Sequence, residues 1–224
     1  RKAEVELHRT EKIWGALTRV KPEFSTTWAF RQLSSQIRIE TISIVKNIAF
    51  LVIMVFAVIN LFGSLSLATN EGYGISSFPV TYNVINIIKG SLYIFILAVI
   101  TFYSGAIVWK ERESRVHDIY DSLPYPDWLP AVSKTLAMYL SVLILLVIGV
   151  CMGVATQLIN GFTDLRPEVY LVELIVSDGL TFLSMIILSI FIHSLVNNRY
   201  LGYFLFITLL IANSFIWPAL DVSS

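Results

Sequence analysis

Residues 47–70 read NIAFLVIMVFAVINLFGSLSLATN and lie between Lys46 and Glu71. That window holds no charge. A crossing helix needs about 20 apolar residues, because ~30 Å of hydrocarbon is covered at ~1.5 Å per residue. Four more windows follow. Residues 90–109 (GSLYIFILAVITFYSGAIVW) lie between Lys89 and Lys110, and residues 135–163 lie between Lys134 and Asp164, apolar to about Ala155. Residues 179–198 follow Asp178, with a helix start expected near Tyr170, and residues 200–220 follow Arg199. Apolar residues run all the way round each window, as a helix among lipid and other helices requires. The expected fold is all-α: a polytopic transmembrane bundle with five spans at about 47–69, 87–109, 133–156, 170–195 and 200–219.

The whole-chain figures agree. The 224 residues are 56% hydrophobic and 14% charged, with sixteen basic and sixteen acidic side chains and zero net charge; the mean hydropathy is +0.73. Soluble domains carry about 25% charged residues. The balance excludes an ordinary soluble enzyme, a basic nucleic-acid binder and a disordered segment. A single cysteine, Cys151, excludes an intramolecular disulfide.

The neutral total hides an uneven distribution. Nine Lys/Arg lie in 1–46 and four in 110–134, none in 71–88, and one each, Arg166 and Arg199, in the loops near 157–169 and 197–199. Basic loops stay inside, so the N-terminus, the second loop and the fourth loop are expected on the cytoplasmic side of a bacterial inner membrane. Trp109, Tyr120 and Trp128 then fall near the inner interface, and Tyr73, Tyr82 and Tyr170 near the outer one. Five spans leave the C-terminus outside, which reads as an incomplete chain.

Before the first span, residues 26–46 read TTWAFRQLSSQIRIETISIVK. Phe30, Leu33, Ile37 and Ile44 fall within a fan of roughly 60° on a helical wheel, with Arg31 and Arg38 off it. This predicts an interfacial helix over 26–45. Trp28, Ile39 and Ile42 lie on the other side, so a cytosolic extension of the first span is the alternative. Residues 1–25 are of mixed charge and read as a solvated lead-in or linker.

The loop 110–134, KERESRVHDIYDSLPYPDWLPAVSK, is the most charged segment between spans. Helical spacing pairs Glu111 with Arg115 and Arg115 with Asp118, continuing the second span into the cytosol. Pro124, Pro126 and Pro130 then turn the chain, and Asp127 can cap the next helix. The segment suits a rigid contact to a cytosolic partner, or is a solvated hairpin.

Catalytic motifs are missing. No GxxxxGK[ST], GxSxG or HExxH occurs, and His8, His117 and His193 are too dispersed for a metal site. Neither a catalytic residue nor a cofactor is expected in this chain. Glu173, Asp178 and His193 are the notable intramembrane polar residues. Both acids read either as hydrated groups at a helix start or, for Asp178, as facing a polar cavity or partner. His193 reads as a hydrogen-bonded interfacial histidine or, less simply, a proton relay. Asn60 and Asn213 suit interhelical hydrogen bonds, and Gly149 with Gly153 forms a G-x-x-x-G that permits close helix contact.

Taken together, the order interfacial helix, span, outer loop, span, charged elbow, span resembles the membrane domain of an ABC-2 type ABC export permease. The likeness rests on Ser122-Leu123-Pro124-Tyr125-Pro126-Asp127-Trp128…Ser133-Lys134, on Phe78-Pro79-Val80-Thr81, and on Gln157…Gly161-Phe162 with Glu168-Val169-Tyr170-Leu171. It covers about residues 26–220. It is nearest the subgroup in which two permease halves precede a zinc aminopeptidase domain on one chain. The resemblance implies six spans per half, a second permease half, and a partner ABC ATPase subunit that binds ATP-Mg. It also makes 110–132 the coupling segment, with that role falling on Glu111, Glu113, Arg115, Asp118 and Asp121. The chain departs from the pattern in its missing sixth span. It also has Ala106, after Gly105, where relatives tend to carry a Glu. A membrane-embedded enzyme is a second reading, but Asp178 and His193 lie fifteen residues apart, or about 22 Å along a helix. A membrane scaffold for an attached soluble domain is a third.

Overall fold

The computed structural model describes residues 26–69, 79–113, 126 and 128–220. The described residues are helical, and no strand occurs among them. Helix α1 spans Thr26–Val45, α2 Ile48–Thr69, α3 Thr81–Glu113 and α4 Trp128–Ile159. Helix α5 runs Pro167–Leu195, and α6 spans Arg199–Leu220. Four of these, α2 to α5, are long and apolar enough to cross a membrane. Helix α6 is 22 residues long, and its apolar character is described over Arg199–Asn213.

Local chemistry sets the boundaries. Asn47 separates α1 from α2, and its Oδ1 accepts the backbone N–H of Ala49 at 2.9 Å, satisfying one of the free donors of the first turn. Helix α4 stops at Gly161, whose φ of 74° is left-handed. There the N–H of Phe162 reaches the carbonyl of Gln157 at 2.9 Å and that of Gly161 reaches Leu158 at 3.1 Å. These two bonds are the Schellman ending, which glycine permits because it has no Cβ. Pro167 opens α5, where its missing N–H costs nothing. At the start of α6, Asn198 Oδ1 accepts from the N–H of Tyr200 at 2.9 Å.

Helix α3 is the axle of the bundle, touching α2, α4, α5 and α6. Of its apolar window 56% is buried, against 22% for α2. Val84, Ile88, Leu92, Ile96, Val99, Tyr103 and Ile107 form its buried line, at the three- and four-residue spacing of one helix face. Gly149 and Gly153 of α4 receive that line. A Cβ at Gly149 would stand 2.7 Å from Leu92 Cδ1, and one at Gly153 would stand 2.8 Å from Ile88 Cδ1. The G-x-x-x-G is therefore a packing seam between α3 and α4.

Two sequence expectations change. The second span was placed at 87–109 with Lys89 near its edge, but the helix begins at Thr81, which puts Lys89 more than two turns inside it. The apolar stripe of α1 does not face lipid alone. Leu33 and Ile44 are buried, α1 packs chiefly on α4, and the Ser133 hydroxyl donates to Gln36 Oε1 at 3.2 Å. Phe30 remains exposed.

Candidate functional site

Polar chemistry gathers at the two ends of α3. At the Thr81 end, Lys89 Nζ lies 2.9 Å from Glu173 Oε2 and 3.2 Å from Asp178 Oδ1. The backbone of α5 makes this possible. Residues Leu171–Asp178 are wound in wide π turns, and the N–H of Gly179 reaches the carbonyl of Leu174, five residues back. In an α-helix two residues five apart point about 140° apart, at ~100° per step. Five-residue hydrogen bonding puts more residues in each turn and swings the later side chain back over the earlier one. Glu173 and Asp178 thus reach the same ammonium. One cation against two carboxylates leaves a formal charge of −1. The cluster borders a cavity of about 150 Å³ lined also by Leu92, Tyr93, Thr181 and Phe182.

Beside it is a buried knot. Gln157 Nε2 donates to the Pro79 carbonyl at 2.9 Å and to Thr81 Oγ1 at 3.2 Å. Its Oε1 accepts from the Tyr170 hydroxyl at 2.8 Å. The knot joins α3, α4 and α5. It brings Pro79 and Thr81 together with Gln157 and Tyr170, more than seventy residues further along the chain.

At the Glu113 end, α3 continues past its apolar window and is tied to the corner between α5 and α6. Arg112 donates from Nη2 to Ser194 O at 2.9 Å and from Nη1 to Val196 O at 3.0 Å. Its guanidinium also lies 4.9 Å from the Trp109 ring centroid. These carbonyls close α5, where a cation is favoured by the helix dipole and by unpaired acceptors. Glu113 Oε1 pairs with Arg199 Nη1 at 3.1 Å, and Arg199 Nε donates to the Tyr203 hydroxyl at 3.2 Å.

Under this latch the helices pack closely. Gly105 leaves room for the Tyr203 ring and Gly202 for the His193 ring; a Cβ at either glycine would overlap its neighbour. His193 stands edge-on to Tyr203, with ring centroids 4.9 Å apart. It is fully buried, and neither ring nitrogen finds a hydrogen-bond partner among the described residues. A buried Ser104–Ser189 hydroxyl pair joins α3 to α5 nearby.

Glu173 and Asp178 come together, while His193 packs at the opposite end of α5. Of the coupling residues, Glu113 contacts the α5–α6 corner and Glu111 belongs to the end of α3. Arg115, Asp118 and Asp121 lie outside the described residues, as does the capping position Asp127. Sequence reasoning missed Lys89, Arg112 and Arg199. For Lys89 and Arg199 the available signal was a lone basic residue inside or beside an apolar run; Arg112 sits in the charged run KERESR and carried no such signal. Asn60 makes no interhelical side-chain hydrogen bond among the described residues; only its carbonyl is used, by Ser64 at 3.0 Å. No group of three His, Cys, Asp or Glu side chains is placed to hold a metal ion among the described residues.

No family model, curated protein or solved structure matches the chain.

Proposed function

We propose that this chain is the transmembrane half of an ABC-type exporter, resident in the inner membrane with its N-terminus cytoplasmic and five spans in this segment. A partner subunit hydrolyses ATP-Mg, a second permease half completes the path, and 110–132 receives the movement. One observation supports this most. The charged extension of α3 is fastened to the α5–α6 corner through Arg112 and Glu113. A push on the elbow is then shared by α3, which touches four other helices, and by the corner that joins α5 to α6. A solvated hairpin needs no such fastening.

The experiment uses the full-length parent chain purified from native membranes. Bound ATPase subunit is measured by mass spectrometry, and stimulated ATP hydrolysis is measured in the same sample. Asp118→Lys is expected to abolish association. Arg112→Ala is expected to keep association and lose stimulation, because it breaks the joint and not the docking surface. If both variants associate and stimulate like the parent, the coupling assignment is wrong.

A further inference from the structure

Helix α1 does not fit α4 along its whole length. Between them runs a groove of about 540 Å³ whose lining includes Leu33, Ser34, Ile37, Arg38, Thr41 and Leu140. That volume falls within the roughly 300–1,000 Å³ of ordinary ligand sites. Its walls are mostly apolar, but three polar groups follow one face of α1 at three- and four-residue spacing, Ser34, Arg38 and Thr41. The Thr41 hydroxyl oxygen is buried with no hydrogen-bond partner among the described residues. In many helices such a hydroxyl returns to its own backbone four residues earlier; this one does not. Arg38 is exposed, and no ion pair or hydrogen bond engages its guanidinium among the described residues. Among the described residues it is the one charged side chain that lines the groove.

We propose that this groove holds an anionic glycerophospholipid. Each part of that molecule answers one feature. An acyl chain covers the apolar floor of Leu33, Ile37 and Leu140. An ester carbonyl, which can only accept, meets the Thr41 hydroxyl, which needs an acceptor. The phosphate meets Arg38, whose guanidinium forks match phosphate oxygens. Charge complementarity selects an anionic headgroup: residues 26–46 hold Arg31, Arg38 and Lys46 against Glu40 alone. The site depends on the chain lying in a membrane and is independent of the exporter reading.

The test reconstitutes the full chain in nanodiscs of dioleoyl phosphatidylcholine with a minor share of dioleoyl phosphatidylglycerol. Lipids that survive release from the disc are counted by native mass spectrometry. Phosphatidylglycerol is expected to be retained about fivefold over its share in the disc, the discrimination one basic side chain gives. Arg38→Gln should erase that preference without changing the thermal unfolding profile, since the side chain is exposed. Arg31→Gln, off the groove, should keep it. Leu140→Trp should fill the groove and lose the retained lipid of either kind. Retained preference in Arg38→Gln would overturn the proposal. So would equal retention of the two lipids by the parent chain, or displacement by inorganic phosphate alone, which would mark a site for a free anion.

Discussion

The two ends of α3 are fastened by opposite means. At the Thr81 end the ties are side chain to side chain, apart from the Gln157 bond to the Pro79 carbonyl, and sit inside the bundle: Gln157 is fully buried, and Lys89 is about one third exposed. At the Glu113 end the charged ties lie at the surface, with Arg199 41% and Glu113 56% exposed. A buried polar group that loses its partner costs about 1–3 kcal/mol, whereas an exposed ion pair contributes about 0–1 kcal/mol. The first end is therefore built to stay closed. The charged ties at the second end can open and reform at little cost.

Four substitutions can break or sharpen that contrast, all read by denaturant titration of the purified protein in mixed micelles. Gln157→Leu should have the largest effect. It strands the Tyr170 hydroxyl, the Thr81 hydroxyl and the Pro79 carbonyl, and a loss of about 2–4 kcal/mol is expected. Adding Tyr170→Phe should recover part of it, because one orphan is then removed.

Lys89→Met comes next. It leaves two carboxylates facing each other without a cation. Breaking a fully buried pair costs about 3–5 kcal/mol; with Glu173 43% exposed, solvent screening lowers the expectation to about 2 kcal/mol. Asp178→Asn in the same chain should restore about half. If Lys89→Met proves neutral, the cluster does not hold α5 to α3.

Gly202→Ala probes the Glu113 end beneath its charges. Its Cβ overlaps the His193 ring, and that ring is pinned against Tyr203, so about 1–2 kcal/mol of overpacking is expected. This separates tight apolar packing from loose charge pairing at the same end. Glu113→Gln should cost least, below about 0.5 kcal/mol, and its small effect should fade further in high salt. A Glu113→Gln penalty as large as that of Gln157→Leu would remove the contrast altogether.

Legibility in the sequence followed the physics of each feature. The helix at 48–69 was readable almost to its ends, because charges and polar residues bracket its apolar run. The start of α3 was not. An isolated charge in an apolar run is costly, so Lys89 marks a boundary by sequence alone, but two carboxylates from α5 compensate it. Glu173 and Asp178 were visible as unusual. That they meet was invisible, because an α-helical wheel turns them well apart and only the π winding of Leu171–Asp178 reunites them. The spacing of Gly149 and Gly153 permits a close helix contact and no more; that Ile88 and Leu92 fill it is visible only in the structure. The closeness of Gln157 to Tyr170 had a faint signal only in their belonging to neighbouring motifs.

By itself the sequence pointed to an all-helical chain with five apolar spans; the described residues are helical, and four of the helices are long and apolar enough to cross a membrane. Those outcomes depend on local quantities: length of apolar run, missing charge, and the capping chemistry of Asn47, Gly161 and Pro167. Only the tertiary structure decided that α3 is central and α2 peripheral, that α1 leans on α4, and which charges pair. In a soluble protein polarity separates inside from outside. Here lipid-facing and protein-facing surfaces are equally apolar, so hydrophobic patterning cannot rank the helices. Close fit at small residues and satisfaction of the few polar groups decide instead.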